Sequence, residues 1–338
     1  QRQMCIRDRS MPAGEITHPS RTEEVFLLTA LRTAALRTDG RKLHQARSVS
    51  AEFSERLGWC QVHVGDTIAI ASVNATLCEP RNDRPYEGIV QVHANLTPMA
   101  GVEYDTGGVH GATESREREA LFERLLERAV RHSEAVDREA LCVLSGKVAW
   151  CVDVSVHILA DQGAAMDAAV LASMLALRQY RRPEVTVENG QVTVHSPDER
   201  VPVPLALHHV PLCVSYAIFV LVPKNDQERS LLLAQSPTLP VDQADSDMEV
   251  DGTYTNPNVT VALLDPSLLE CTLAHSNITF VMNAQREVCV LDKAGGVAIP
   301  YPTILGLLDG AAARARQLSD FLESQLAEDS AQRVLSIR

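Results

Sequence analysis

The sequence predicts an α+β fold with two related halves, each made of β-strands followed by helices. Alternating apolar and polar residues, typical of strands with one buried face, occur in both halves of the chain. A helical stretch follows each group of strands, which is the order expected of an α+β protein. Aromatic residues make up only 4% of the 338 residues although 45% are hydrophobic, so small and branched aliphatic side chains must fill the core.

The first elements are a helix and a set of strands. Residues Glu23 to Leu36 have apolar positions at helical spacing, and Asp39-Gly40 is suited to stop that helix. Two alternating stretches between Gly58 and Leu77 flank Gly65-Asp66, a dipeptide that favours a tight hairpin turn. A third strand from Gly88 to Leu96 completes a predicted meander with one buried face.

The first half continues with a helix, a long strand and a second helix. Residues 113–133 form a strongly amphipathic pattern, and residues 148–159 alternate more regularly than any other stretch. Residues 168–180 are so rich in Ala, Leu and Met that we expect a buried helix, with Asp167 as its N-cap.

The second half repeats this order. Asn189-Gly190 predicts a hairpin, four strands are expected at residues 212–222, 259–264, 278–283 and 288–291, and a helix closes the chain at residues 301–326. Residues 223–258 are polar and acidic, which favours a disordered insertion. The predicted organisation is a tail (1–22), a first half (23–183), a second half (184–330) that contains the insertion, and a tail (331–338).

Charge, cysteine spacing and hydropathy narrow the functional class. A formal charge of -13 argues against a protein that coats nucleic acid non-specifically, so any RNA contact must be local. The eight cysteines show no Cys-x-x-Cys spacing and indicate reduced core residues, with no metal site or cofactor. No window predicts a membrane span, and Gln1 to Ser10 lack the apolar segment of a secretory signal. Met11 is a candidate start.

Several short motifs carry a resemblance to a known family. They are Asp39-Gly40-Arg41, Cys60 to Gly65, Glu87-Gly88, Glu127-Arg128 with Arg131, and Val156 to Leu159 followed by Asp167-Ala168-Ala169. Together they resemble the RNase PH fold (ribosomal protein S5 domain 2-like) of phosphorolytic exoribonucleases, over roughly Glu23 to Glu328. Further motifs are similar to ring subunits of the eukaryotic RNA exosome: Leu141-Cys142-Val143, Arg181-Arg182-Pro183, Pro202 to Leu205, His208 to Ser215, Leu264-Asp265-Pro266 and Met282-Asn283 with Arg286-Glu287.

The same resemblance implies that the catalytic residues are missing. Active members carry a Gly-Gly-Thr-Arg signature after the strand that matches residues 148–159, whereas this chain has Gln162-Gly163-Ala164-Ala165. Active members also carry paired aspartates, which we place here at Asp265 and near His275, where one carboxylate is absent. Phosphorolysis needs donors for phosphate and more than one carboxylate, so we predict a subunit without catalytic residues.

The resemblance further implies a role in RNA processing within a six-membered ring. Candidate RNA contacts are Arg81 and Arg84, on a proline-bounded loop, and Arg116 and Arg118, at the start of an amphipathic helix. Their alternatives are a solvated loop and an ordinary charged helix face. Implied partners are other RNase PH-like subunits, cap proteins with S1 and KH domains, nucleases and RNA, in nucleus, nucleolus and cytoplasm. Two alternatives stay open: an active phosphate-dependent exoribonuclease, and a scaffold that never contacts RNA.

Overall fold

The computed structural model of the chain describes residues 19–336, except 102–103, 105–110, 189, 197–198 and 236–258. Its elements are, in chain order, α1 (Arg21–Ala34), β1 (Val49–Phe53), β2 (Trp59–Val64), β3 (Thr67–Cys78), β4 (Ile89–Leu96), α2 (Gly111–Glu127), a π-helical turn (Arg128–His132), β5 (Cys142–Leu144), β6 (Val148–Ala160), α3 (Ala165–Gln179), β7 (Arg181–Arg182), β8 (Val185–Glu188), β9 (Gln191–Val194), β10 (Val203–Pro204), β11 (Leu212–Leu221), α4 (Asp226–Gln235), β12 (Val259–Leu264), α5 (Leu268–Leu273), β13 (Ser276–Met282), β14 (Val288–Asp292) and α6 (Tyr301–Ser336). Two sheets, each packed against helices, confirm the α+β prediction.

The first sheet has the strand order β1-β2-β3-β6-β4, with β5 paired to the start of β6. The β2–β3 hairpin turns at Gly65, as predicted, with Gly65 at a φ of +58°. β4 pairs with β6 in parallel, with Val92 opposite Val154, so the predicted meander of three consecutive strands is wrong. A parallel pair needs a long crossover connection, which α2 supplies between β4 and β6.

Helix α3 is the centre of the molecule, and 13 of its 15 residues are buried. Its small side chains let it pack against both β3 and β11, one in each sheet. The prediction that Asp167 caps this helix is wrong, because the helix starts at Ala165. The Asp167 carboxylate instead accepts hydrogen bonds from the backbone N–H (3.1 Å) and hydroxyl (2.6 Å) of Ser215 on β11. Burial raises the pKa of this carboxyl group.

The second sheet has the order β12-β11-β13-β14, with every neighbouring pair antiparallel. Helix α1 packs on this sheet and not on the first one, because Leu27 and Leu31 are fully buried in one cluster with Phe219 and Val261. The predicted division at residue 183 therefore assigns α1 to the wrong half. The helix also ends at Ala34, where Ala35 takes the left-handed conformation, earlier than predicted.

Two segments predicted to lack structure are helical. Within the predicted insertion 223–258, residues Asp226–Gln235 form α4, and Leu232 is fully buried beside α1. The remainder of that insertion, residues 236–258, lies outside the described residues, as does most of the predicted tail 1–22. Helix α6 continues to Ser336, through most of the predicted tail 331–338. The Arg333 guanidinium donates to the backbone oxygen of Glu55 (2.8 Å), which ties the end of α6 to the first half.

Two further observations concern the described part of the chain only. Its seven cysteines are all free. None of the helices in the described ranges combines the length and the apolar character needed to cross a bilayer.

Candidate functional site

A cleft of about 760 Å³ opens between α2, the start of α3 and the second sheet. One wall comes from α2, through Phe122 and Leu125. The opposite wall comes from α5 and β13, through Cys271 and Asn277. The floor is the short connection from β6 to α3, which contains the Ala164 and Ala165 positions that the sequence singled out.

The connection between β6 and α3 has a tightly constrained backbone. Gly163 has a φ of +93° and Ala164 a φ of +53°, so both residues take left-handed conformations. A Cβ atom on Gly163 would lie 2.3 Å from the backbone oxygen of Pro266, so only glycine fits between β6 and that loop. The Asp161 carboxylate holds the turn by accepting from the Gly163 N–H (2.9 Å) and the Tyr104 hydroxyl (2.6 Å).

The side chains at the start of α3 are methyl groups. Ala164 and Ala165 are both less than a tenth exposed, and neither can donate or accept a hydrogen bond through its side chain. The thiol of Cys271 lies against the backbone N–H of Ala164. Burial raises the pKa of this thiol to about 12, so it is neutral at physiological pH. The two alanines and this thiol therefore bring no charge to the floor of the cleft.

Three arginines line the cleft, namely Arg118 and Arg124 of α2 and Arg128 at the start of the π-helical turn. Arg128 approaches Asp292 at 3.8 Å. Arg116, which the sequence grouped with Arg118, is exposed and is not part of the cleft lining. Arg124 and Arg128 were not predicted as site residues, although Arg118, Leu121, Leu125 and Arg128 follow one another at spacings of three and four residues and so share one helical face.

Asp265, which the resemblance matches to the first of the paired aspartates, is not among the residues that line the cleft. It is 4% exposed, and its carboxylate accepts from the backbone N–H (2.7 Å) and guanidinium (2.6 Å) of Arg47. Arg41 adds a longer ion pair at 3.3 Å. Asp265 therefore links the segment before β1 to the end of β12.

His275, near which the resemblance places the second aspartate position, is not part of the cleft lining either. Its side chain is exposed, and the ring packs edge-to-face on Phe219 with centroids 6.1 Å apart. The side chains through which α5 and β13 reach the cleft include Cys271 and Asn277, six residues apart, beside Leu268 and Thr279. The Asn277 amide donates to the Cys271 backbone oxygen at 3.4 Å. Neither position carries a carboxylate.

A buried ion pair holds the loop behind this wall. The side chains of Arg37 and Glu270 are both 0% exposed, and they form two hydrogen bonds, one of them 2.8 Å long. The Arg37 guanidinium also donates to the backbone oxygens of Leu264 (2.6 Å) and Asp265 (2.8 Å). The pair fixes the loop that presents α5 to the cleft.

Arg81 and Arg84 lie elsewhere, on the loop between β3 and β4, in a separate pocket of about 300 Å³. Arg84 forms an ion pair with Glu87 at 3.2 Å. The structure therefore divides the four predicted RNA contacts. Arg81 and Arg84 share one pocket, Arg118 lines the cleft, and Arg116 is on the exposed face of α2.

Two family models match the chain. Residues 45–183 match the "3' exoribonuclease family, domain 1" and residues 254–314 match "domain 2" of the same family. The first match covers the first sheet and α3, and the second covers most of the second sheet and the first part of α6.

Among curated proteins, the chain is 34% identical over 304 residues to the exosome complex component rrp45 of Schizosaccharomyces pombe, covering 90% of this chain and 89% of that protein. It is 32% identical to the exosome complex component RRP45 of Saccharomyces cerevisiae, covering 93% of each chain. A chain of the Archaeoglobus fulgidus exosome with RNA bound to the active site has the same fold, with a TM-score of 0.65 and 23% identity over 88% of this chain and 97% of that one.

Proposed function

This chain belongs to the 3' exoribonuclease (RNase PH) family, and we propose that it is a catalytically silent ring subunit of an RNA exosome. The length of the similarity supports the subunit assignment, since it spans nine tenths of this chain and of each yeast relative. On this proposal the chain pairs with other RNase PH-like subunits in a six-membered ring. Cap proteins with S1 and KH domains and separate nucleases bind to that ring.

The composition of the cleft supports the absence of catalysis. Two alanine methyl groups stand where a phosphate ion would need donors, and a neutral thiol lies against the amide of Ala164. The facing positions, Cys271 and Asn277, cannot supply a pair of carboxylates for metal binding or acid–base chemistry. Of the two carboxylates that do line the cleft, Asp161 is held by its own loop and Asp292 is near Arg128.

The proposed role is to line and support an RNA channel during 3'-to-5' processing and decay, including ribosomal RNA maturation and messenger RNA turnover. We place this activity in the nucleus, nucleolus and cytoplasm. Contacts to RNA would come from Arg81, Arg84, Arg116 and Arg118, because a chain of formal charge -13 can attract phosphate only where its arginines are grouped. The ring and not this subunit alone would hold the RNA.

A phosphorolysis assay tests the silence of the cleft. The purified full chain is incubated with a short oligoadenylate, phosphate and magnesium, and nucleoside diphosphate release is measured. We expect no release above that of a boiled sample. Release that disappears in an Asp161→Asn or Asp292→Asn variant would show that the cleft is an active site and would refute the proposal.

RNA crosslinking of the assembled ring tests the channel role. Arg81→Glu and Arg84→Glu in one variant, and Arg116→Glu and Arg118→Glu in another, are each compared with the unchanged ring. Weaker crosslinking in at least one variant is expected, since each reversal adds repulsion for phosphate. Equal crosslinking in all three rings would instead favour a scaffold that does not contact RNA.

A further inference from the structure

The pocket that contains Arg81 and Arg84 also contains two arginines that are distant in sequence. Arg131 and His132 come from the π-helical turn after α2, and Arg138 comes from the loop that follows it. We call this set, with the neighbouring Glu87 and Glu134, the arginine pocket. At about 300 Å³ it is at the small end of the range for small-molecule sites.

The arginines of this pocket differ in how they are paired. Arg84 and Arg138 each lie 3.2 Å from a carboxylate oxygen of Glu87, and Arg138 also pairs with Glu134 at 3.2 Å. Arg131 pairs with Glu127, one turn earlier on the helix. These carboxylates hold the three guanidinium groups in place.

Arg81 is exposed and has neither an ion pair nor a hydrogen bond through its side chain within the described part of the chain. Four guanidinium groups thus face the two carboxylates, Glu87 and Glu134, that line the same pocket. When Glu127, the partner of Arg131, is counted as well, the pocket has a formal surplus of one positive charge in a chain that is strongly acidic overall.

We propose that the arginine pocket binds one phosphate group of an RNA backbone. This inference rests on the proposed function, which gives the chain an RNA contact, and it extends that contact from one loop to two segments. Guanidinium groups suit phosphate because their donors match two of its oxygens at once. Arg81 supplies a free group, while Arg84 and Arg138 are held by Glu87 and can share their remaining donors.

The composition of the pocket also predicts that binding does not depend on the RNA sequence. Its lining contains no Phe, Tyr or Trp side chain, and its one ring, His132, can stack on any base because every base has a π-face. Contacts to phosphate position a nucleic acid without reading its sequence. The pocket should therefore bind oligouridylate and oligoadenylate equally well.

The test uses the full chain assembled with its ring partners and a fluorescent 5'-labelled RNA, with affinity measured by polarisation over a series of salt concentrations. Arg81→Gln removes no contact within the described fold, so it should leave the melting temperature unchanged. In an Arg81→Gln, Arg138→Gln double variant we expect affinity to fall roughly tenfold, as for the loss of a charged hydrogen bond. The slope of log affinity against log salt should become less steep by about 0.7 for the lost phosphate.

Arg286→Gln is the matched control, because Arg286 is exposed, pairs with Asp309 at 3.7 Å and is not part of the pocket. If the double variant binds RNA as tightly as the control while Arg116→Gln, Arg118→Gln weakens binding, the pocket assignment is wrong and the proposed RNA role stands. If no arginine variant changes RNA affinity, both are wrong. A second arm of the experiment uses inorganic phosphate in place of RNA. If free phosphate binds in the pocket while the double variant keeps its RNA affinity, the site binds a free anion and the inference is overturned.

Discussion

The Arg37–Glu270 pair offers the sharpest test of how the cleft is held together. Both side chains are completely buried, and Arg37 donates to the Glu270 carboxylate and to two backbone oxygens, those of Leu264 and Asp265. Glu270→Gln keeps the size of the side chain but leaves the Arg37 cation buried without a counter-charge. Breaking a buried pair in this way costs about 3–5 kcal/mol.

The measurement is urea denaturation of the full chain, followed by far-UV circular dichroism, as a double-mutant cycle. Glu270→Gln should lower the free energy of unfolding by about 3–5 kcal/mol, and adding Arg37→Met should recover part of that loss, because no unpaired charge remains buried. Arg200→Gln is the control, since Arg200 and Glu184 form an exposed pair at 3.1 Å whose loss should cost less than about 1 kcal/mol. A cost below about 1 kcal/mol for Glu270→Gln, or strictly additive single changes, would refute the reasoning.

Three further predictions concern the floor of the cleft and the placement of α1. Gly163→Ala should lower the free energy of unfolding by at least about 1–3 kcal/mol, because alanine is strained at positive φ and its Cβ atom would meet the Pro266 oxygen; an unchanged melting temperature would contradict this. The folded-state pKa of Cys271 is raised from 9.0 to about 12, so the stability it contributes is present below pH 9 and is lost as pH rises toward 12. Between pH 9 and 11 the unfolding free energy of the Cys271→Ala variant should therefore fall less steeply than that of the unchanged chain. The two slopes should differ by about 1.4 kcal/mol per pH unit, and parallel curves would show that this thiol is not the source of the pH dependence. Leu27→Ala should cost about 2–5 kcal/mol and Phe26→Ala almost nothing, since Leu27 is fully buried on the second sheet and Phe26 is 62% exposed; equal losses would contradict the packing of α1.

Local sequence patterns predicted most of the elements. The alternation of residues 148–159 identified β6, and the Ala-rich run after it identified a helix of which 13 of 15 residues are buried. Both signals depend only on which side chains leave water, and that preference is readable over ten residues. Helices α4 and the end of α6 were missed, because their polar composition resembles that of an unstructured segment although Leu232 and Arg333 anchor them.

The candidate site was predicted less completely. The alanines at positions 164 and 165 do lie on the floor of the cleft, but Asp265 and His275 do not face it. A turn and a short helix separate β12 from β13, so the direction of each side chain depends on where α5 begins. That start is set by Glu270, which caps α5 at Ser267 and binds Arg37, a residue more than 200 positions earlier in the chain.

The sequence by itself determined the fold class and most of the long strands, since both follow from local composition and periodicity. Only the tertiary structure decided which of these residues meet. It placed β4 beside β6, α1 on the second sheet, and Arg81 beside Arg138 in one pocket. Such contacts join segments far apart in the chain, and their geometry depends on the packing of whole elements, which no local pattern encodes.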